Sequence, residues 1–219
     1  MLPPDLQAKI TQASFICGSD EAGTGAWAGP FFVCATVVPR TWAYTGVTDS
    51  KKLTPGAREK LYPVLVSTVT HCLIEVGVEE LDREGLGKAL TSAHSRAIQG
   101  ALAAHKALGH TEPPLVIIDG SRGLPGAIAL PKADFLIPAV SAASILAKVS
   151  RDRVMRELDL KFPGYGWADN AGYGAPKHQE ALKRLGVSPV HRLSYSPMSN
   201  MVRTKASEPK ELWLTFDDS

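Results

Sequence analysis

Short apolar runs rich in β-branched and aromatic residues fall at residues 15–18, 31–38, 71–78 and 115–118, with a weaker run at Ala127–Leu130. Their lengths and composition predict strands. A different period follows in Leu86, Leu90, Ala93, Ala97, Ala101, Ala104 and Leu108, which recur at spacings of three or four and predict a long helix lying on a sheet. A second helix is predicted from near Ser141 through Ala142, Ile145, Leu146 and Val149 to about residue 160, since Pro138 precedes it and Pro163 with Gly164 follows. A shorter helix follows Pro176 and stops at Gly186, and a small one spans residues 55–66. The first three strand candidates are joined by turns or the small helix, and the later ones are separated by the long helix. That order predicts an α/β fold: a mixed sheet flanked by helices, with a helical C-terminal part.

The chain has 219 residues, 44% hydrophobic and 21% charged, enough for one sizeable core and one main domain. After Tyr195 the composition shifts to Ser196, Pro197, Ser199, Ser207 and Pro209, so the domain is expected over residues 1–195 with a tail over 196–219. Residues 1–12 lack a basic start followed by an apolar run, and the longest apolar stretch, 31–38, is too short to span a bilayer. A cytoplasmic protein is expected. Cys17, Cys34 and Cys72 each sit inside a strand-like run without a neighbouring zinc ligand, which reads as buried reduced thiols. The histidines show no paired metal-ligand spacing and read as structural or surface residues, with His178 near the site; the tryptophans and Tyr165 read as core or turn packing. A formal net charge of +2 is too mild to indicate nucleic acid by itself.

Candidate chemistry lies in the acids. Asp20 and Glu21 end the first strand, directly before the turn Ala22-Gly23-Thr24-Gly25. Adjacent carboxylates repel, and near a buried sheet they need a cation or donor groups to compensate. Ile117-Ile118-Asp119-Gly120 repeats the arrangement, an apolar strand delivering an acid to its C-terminal end, and Asp134 lies shortly before the second helix. Each acid alone is compatible with a turn or helix-cap role, Asp119-Gly120 above all. Together they form an all-oxygen set suited to Mg²⁺ or Mn²⁺ rather than zinc or copper.

From Ile16 to Tyr195 the sequence resembles the ribonuclease HII family. The matching segments are Gly18-Ser19-Asp20-Glu21-Ala22-Gly23, Asp49-Ser50-Lys51-Lys52-Leu53, Ile118-Asp119-Gly120, Lys132-Ala133-Asp134, Ser141 to Lys148, Pro163-Gly164-Tyr165-Gly166, Gly172-Tyr173-Gly174 and His191-Arg192. Ribonuclease HIII fits less well, because only about 17 residues precede the first motif. The resemblance implies a ribonuclease H-like fold with a mixed five-stranded sheet. It also implies hydrolysis of RNA in RNA/DNA duplexes, and at ribonucleotides embedded in duplex DNA, with Asp20, Glu21, Asp119 and Asp134 as the catalytic metal-binding set. Two ions, one activating water and one stabilising the leaving oxygen, would leave 5′-phosphate and 3′-hydroxyl ends.

The resemblance further implies that the Gly23-Thr24-Gly25 backbone contacts the 2′-hydroxyl that distinguishes RNA from DNA, and that Tyr173 packs against the neighbouring sugar. Lys51, Lys52, Ser141, Lys148, His191 and Arg192 are expected among the substrate contacts. The basic residues Arg151, Arg153, Arg156, Lys177, Lys183 and Arg184 are candidates for a duplex path or, equally, for solvated helix faces. The sequence departs from the family at Thr24, where arginine is usual, at Ala26, where proline is common, and at Ala171 and Ala175, where lysine and threonine are usual. Thr24 removes a charge-assisted phosphate contact, so an altered preference between single embedded ribonucleotides and longer RNA, or weaker binding generally, is expected.

The tail segment 211–216, Glu-Leu-Trp-Leu-Thr-Phe, looks like the short peptides that bind sliding clamps, or else docks back onto the domain. A monomer is expected. Two other readings stay open at this stage: a nuclease or resolvase of the same fold acting on DNA, and a non-catalytic hybrid-binding module whose acids lie apart in space.

Overall fold

In the computed structural model of the chain, residues 2–43 and 53–201 are described. The elements in chain order are α1 (Pro4–Gln12), β1 (Phe15–Ala22), β2 (Phe31–Pro39), α2 (Pro55–Thr68), β3 (Thr70–Val76), α3 (Val78–Glu84), α4 (Leu86–Ala107), β4 (Leu115–Asp119), β5 (Ala127–Leu130), α5 (Ala133–Leu136), α6 (Pro138–Lys161), α7 (Trp167–Asn170) and α8 (Pro176–Leu185). The sheet runs β3-β2-β1-β4-β5. β1 pairs antiparallel with β2, and β2 with β3, whereas β1 with β4 and β4 with β5 are parallel. This is the expected mixed five-stranded sheet flanked by helices.

β2 shows why its sequence reads as an unbroken apolar run: side chains alternate across a strand, and here both faces are covered. Phe31, Val33, Ala35 and Val37 pack on the side of α4, with Ala89, Ala93, Ala97 and Ala101. Phe32, Cys34 and Val38 pack on the opposite side, against α6 residues Val140, Ala143, Ile145 and Ala147. A third cluster, away from the sheet, gathers Ala28, Met155, Tyr165, Trp167, Ala181, Leu182 and Met198. Tyr165 and Trp167 stack at 4.7 Å, the packing role expected for them. Cys17 and Cys34 are buried and free, and burial pushes the Cys17 thiol up to about 12, so it stays protonated.

Several boundaries differ from expectation, each for a local reason. α6 begins at Pro138, because proline fits the first turn of a helix, where its missing N–H has no intrahelical partner. Val78, placed in the third strand by its apolarity, opens α3 after Gly77. α1 was not expected from the sequence, and among its residues only Leu6 is buried. The packed chain also continues past the expected boundary at Tyr195: Met198 is fully buried and the Ser199 amide donates to the Tyr195 carbonyl. Lys51, Lys52 and the segment 211–216 lie outside the described residues.

β1 and α6 cross closely at Gly18. A β-carbon there would sit 2.3 Å from the Val140 nitrogen and 2.4 Å from the Ala139 carbonyl carbon, both backbone atoms that cannot rotate aside. Gly18→Ala is therefore expected to destabilise the fold by about 3 kcal/mol or more, at or beyond the upper end of ordinary overpacking, measured by urea unfolding. Stability equal to the parent would refute this close approach.

Candidate active site

Strand alternation separates the two adjacent acids. Ser19 and Glu21 leave β1 on the α4 side, where Ser19 Oγ lies 2.8 Å from His94 Nδ1 and Glu21 Oε2 lies 3.2 Å from His94 Nε2. Asp20 leaves on the α6 side, where it hydrogen-bonds the Ser144 side chain. Its Oδ1 also accepts from the Glu21 amide at 2.7 Å. β4 runs parallel to β1 with Ser19 opposite Ile118, so Asp119 reaches the same sheet edge as Asp20 and Glu21.

Burial pushes the Asp20 carboxyl well above the usual carboxylate range, and repulsion from Glu21 and then Asp119 adds to it. The Ser144 bond and the Glu21 amide oppose the shift without cancelling it. Asp119 Oδ1 accepts from the Ala133 amide at 2.7 Å, fastening the end of β4 to the start of α5. Asp134 follows Ala133, buried in the first turn of α5, and its carbonyl accepts from Ser141 Oγ.

Asp20, Glu21 and Asp119 line one cleft of about 340 Å³ together with Gly23, Thr24, Arg58, Ser144, Lys148 and Tyr173. The donor set is hard oxygen, which fits a divalent cation. In this conformation no three His, Cys, Asp or Glu side chains among the described residues stand close enough to hold one ion.

The floor of the substrate side is held from beneath. Arg151 donates through Nε to the Pro30 carbonyl at 3.0 Å and through Nη2 to the Ala171 carbonyl at 2.9 Å. Arg192 donates through Nε to the Gly29 carbonyl at 3.0 Å and through Nη1 to the Thr24 carbonyl at 2.8 Å, which also accepts from Tyr195 Oη. Gly23 has φ +91°, and a β-carbon on it would lie 1.8 Å from Arg151 Nε, so glycine is required there by the buried guanidinium. Gly25 is different: it is exposed, and a β-carbon would meet only the Tyr173 ring, at 3.9 Å. Tyr173 is 41% exposed.

Four expected contacts need correction or relocation. Ser141, His191 and Arg192 are buried and bonded internally, so they support the site rather than touch a duplex, and Arg151 is fully buried as well. Arg153 and Arg156 are engaged by Glu59 at 2.6 Å and 2.7 Å on an exposed helix face. Lys148 lines the cleft and is bonded to Asp152. Sequence reasoning passed over His94, Ser144 and Arg58. His94 had a legible signal, since it falls on the apolar stripe of α4 between Leu90 and Ala97; for Arg58, whose Nη1 donates to the Leu53 carbonyl, there was none.

The ribonuclease HII family model matches residues 17–198. The chain belongs to the ribonuclease HII family. The Thermus thermophilus ribonuclease HII is 45% identical over 185 residues, covering 84% of this chain and 87% of its own. Among solved structures, the ribonuclease H2 of Pyrococcus horikoshii OT3 matches with a TM-score of 0.70 at 27% identity, covering 89% of this chain and 100% of that one. A chain of the PCNA:RNase HII complex from Archaeoglobus fulgidus matches with a TM-score of 0.66 at 26% identity, covering 83% of this chain and 95% of that one. The protein is accordingly an endonuclease of the ribonuclease H type, from a family that acts on RNA/DNA hybrids and uses divalent metal. No helix among the described residues is long and apolar enough to cross a membrane.

Behind Tyr173 the ribonuclease HII chain carries a buried histidine pair. His178 Nδ1 is 2.9 Å from the Tyr173 carbonyl, so it donates there, and His178 Nε2 accepts from Trp167 Nε1 and faces His191 Nε2, each at 3.1 Å. The Ser188 amide donates to His191 Nδ1 at 2.9 Å. Burial first, and His178 next, push His191 down from 6.5 to about 4, and burial lowers His178 too. A depressed folded-state value means stability is fully present above about 6.5 and lost as pH falls through about 4. Thermal melts should show the midpoint declining over that window, and His191→Gln should flatten the decline; an unchanged slope in the variant would exclude the pair as its source.

Proposed function

We propose that the protein cleaves the RNA strand of RNA/DNA duplexes and cuts at ribonucleotides embedded in duplex DNA, with Asp20, Glu21, Asp119 and Asp134 as metal ligands, leaving 5′-phosphate and 3′-hydroxyl ends. The observation that carries this reading is the convergence of Asp20, Glu21 and Asp119 on one cleft bordered by the Gly23-Thr24-Gly25 turn and the exposed Tyr173. Asp134 enters the set through the segment that Asp119 holds by the Ala133 amide. Asp20, Glu21, Asp119 and Asp134 would hold Mg²⁺ or Mn²⁺, which would supply activation of water and stabilisation of charge on the leaving oxygen.

The chain's own residues bind and orient. Gly25 leaves its backbone open to a 2′-hydroxyl, Arg192 and Tyr195 fix the Thr24 carbonyl, and Tyr173 presents a flat apolar face for a sugar. Lys148 lends positive charge for phosphate, and Lys51 and Lys52 are proposed to do the same. A duplex wholly of DNA lacks the 2′-hydroxyl and is left uncut, which separates this reading from a DNA nuclease. The segment 211–216 is proposed to bind a sliding clamp, a reading supported by the clamp complex of the Archaeoglobus fulgidus relative. The protein is proposed to act in the cytoplasm as a monomer.

Asp20→Asn is expected to abolish metal-supported turnover on a duplex with one ribonucleotide. It should also stabilise the metal-free protein. A carboxyl raised by folding contributes stability that is fully present below its unfolded value of 3.8 and is lost as pH rises through its folded-state value, so the advantage of asparagine widens across that window and is constant above it. A gain of about 1 kcal/mol corresponds to a Tm increase of roughly 2–4 °C in EDTA. Substantial turnover in the variant would remove Asp20 from the site.

Thr24 is half-exposed at the rim of the cleft. Thr24→Arg restores a charge-assisted phosphate donor and should change the ratio of rates on a single embedded ribonucleotide and a long RNA stretch by about tenfold, equivalent to one such bond of roughly 1.5 kcal/mol. Equal ratios in parent and variant would reject a specificity role for this position.

A further inference from the structure

His94 is 5% exposed on α4, and both ring nitrogens face side chains that β1 sends to the same side of the sheet. Ser19 Oγ, 2.8 Å from Nδ1, is also 3.1 Å from the Cys34 carbonyl. The proton inventory of this chain is restrictive. An ionised carboxylate only accepts, so Nε2 must carry the hydrogen aimed at Glu21 Oε2. Nδ1 then either accepts from the Ser19 hydroxyl, or carries a second hydrogen given to Ser19 Oγ while that hydroxyl donates to the Cys34 carbonyl. Both arrangements end in the same Nε2–H to Oε2 bond. Ser19 itself is held by ladder partners on both sides, Ala35 and Ile118, so the far end of the imidazole has a fixed anchor.

We propose that His94 is a positioning residue for the metal site. It keeps the Glu21 carboxylate on the α4 side of β1, while Ser144 keeps Asp20 on the α6 side, and it occupies Oε2 so that Oε1 is the oxygen offered to a cation. His94 acts through Glu21 and does not touch the ion. The inference rests on the reading of Glu21 as a metal ligand. Groups that orient a ligand in this way typically change metal affinity 10- to 100-fold when removed.

The test is Mn²⁺ titration followed by the electron paramagnetic resonance signal of the free ion, on the full chain and on Glu21→Gln, His94→Leu and His94→Gln, with urea unfolding in EDTA alongside. His94→Leu fills the space without a donor and should weaken Mn²⁺ binding about tenfold or more, and raise the Mg²⁺ concentration for half-maximal turnover similarly, with kcat recovering at high metal. His94→Gln, which restores an N–H donor, should recover most of the affinity. Where His94→Leu does not fold, Ser19→Ala, which releases the ring from its anchor, is expected to weaken binding in the same direction. Unchanged affinity in His94→Leu beside lost stability would make His94 a packing residue and overturn the proposal. That result differs from failure of the site reading, in which the parent binds no Mn²⁺ or Glu21→Gln binds it equally well.

Discussion

Parallel pairing of β1 with β4 sets two strand ends side by side at one edge of the sheet, and each ends in acid. Hydrogen bonding fixes that separation at the spacing of neighbouring strands, about 4.8 Å, so the charges cannot retreat from one another by moving the backbone. The fold manages the repulsion in the only direction left, across the faces. Asp20 turns to Ser144 on α6 and Glu21 to His94 on α4, so each main helix packed on the sheet contributes a polar side chain to one of the two acids. Burial still leaves the Asp20 carboxyl raised, the electrostatic feature on which the proposed cation site rests.

A second constraint acts behind the substrate side. Arg151 and Arg192 are fully buried and each donates hydrogen bonds to backbone carbonyls of the loop between β1 and β2 and, for Arg151, of the Ala171 turn, with Arg151 Nη1 and Arg192 Nη2 left without a partner. Burial pushes Arg151 down to about 10, still far above neutral pH, so its guanidinium keeps its charge, and burial lowers Arg192 as well. With the isolated Ala28–His191 bridge, the two arginines hold the irregular backbone beside the cleft. Gly23 and Tyr173 are positioned by the same arginine, whose guanidinium carbon lies 5.4 Å from the Tyr173 ring centre. The positive charge expected to meet phosphate at these two residues is therefore spent inside the protein.

Where period and composition agreed, the sequence was explicit. The unbroken apolar run at 31–38 and the three-and-four spacing along α4 each had one physical solution, a strand covered on both faces and a helix with a single alanine-rich stripe. The short helices α5 and α7 were not legible, because four residues carry no period; α5 depends on Asp119 bonding the Ala133 amide from another strand. The same limit applied to charge. Arg151 and Arg192 look like surface cations in a linear reading, and only the carbonyls arranged around them make burial tolerable.

The sequence alone determined which residue types do the chemistry: strand-borne acids of hard-oxygen character, a glycine-rich turn, a tyrosine among glycines, and motifs ordered as in ribonuclease HII. These are local properties, carried by side-chain identity and spacing. The tertiary structure decided which of them meet. Whether Asp119 lies beside Asp20, which face Glu21 takes, and that a histidine 73 residues away holds it, follow from strand pairing and helix packing between distant segments. No single segment encodes those contacts, because their energy comes from surfaces that exist only after the sheet has formed.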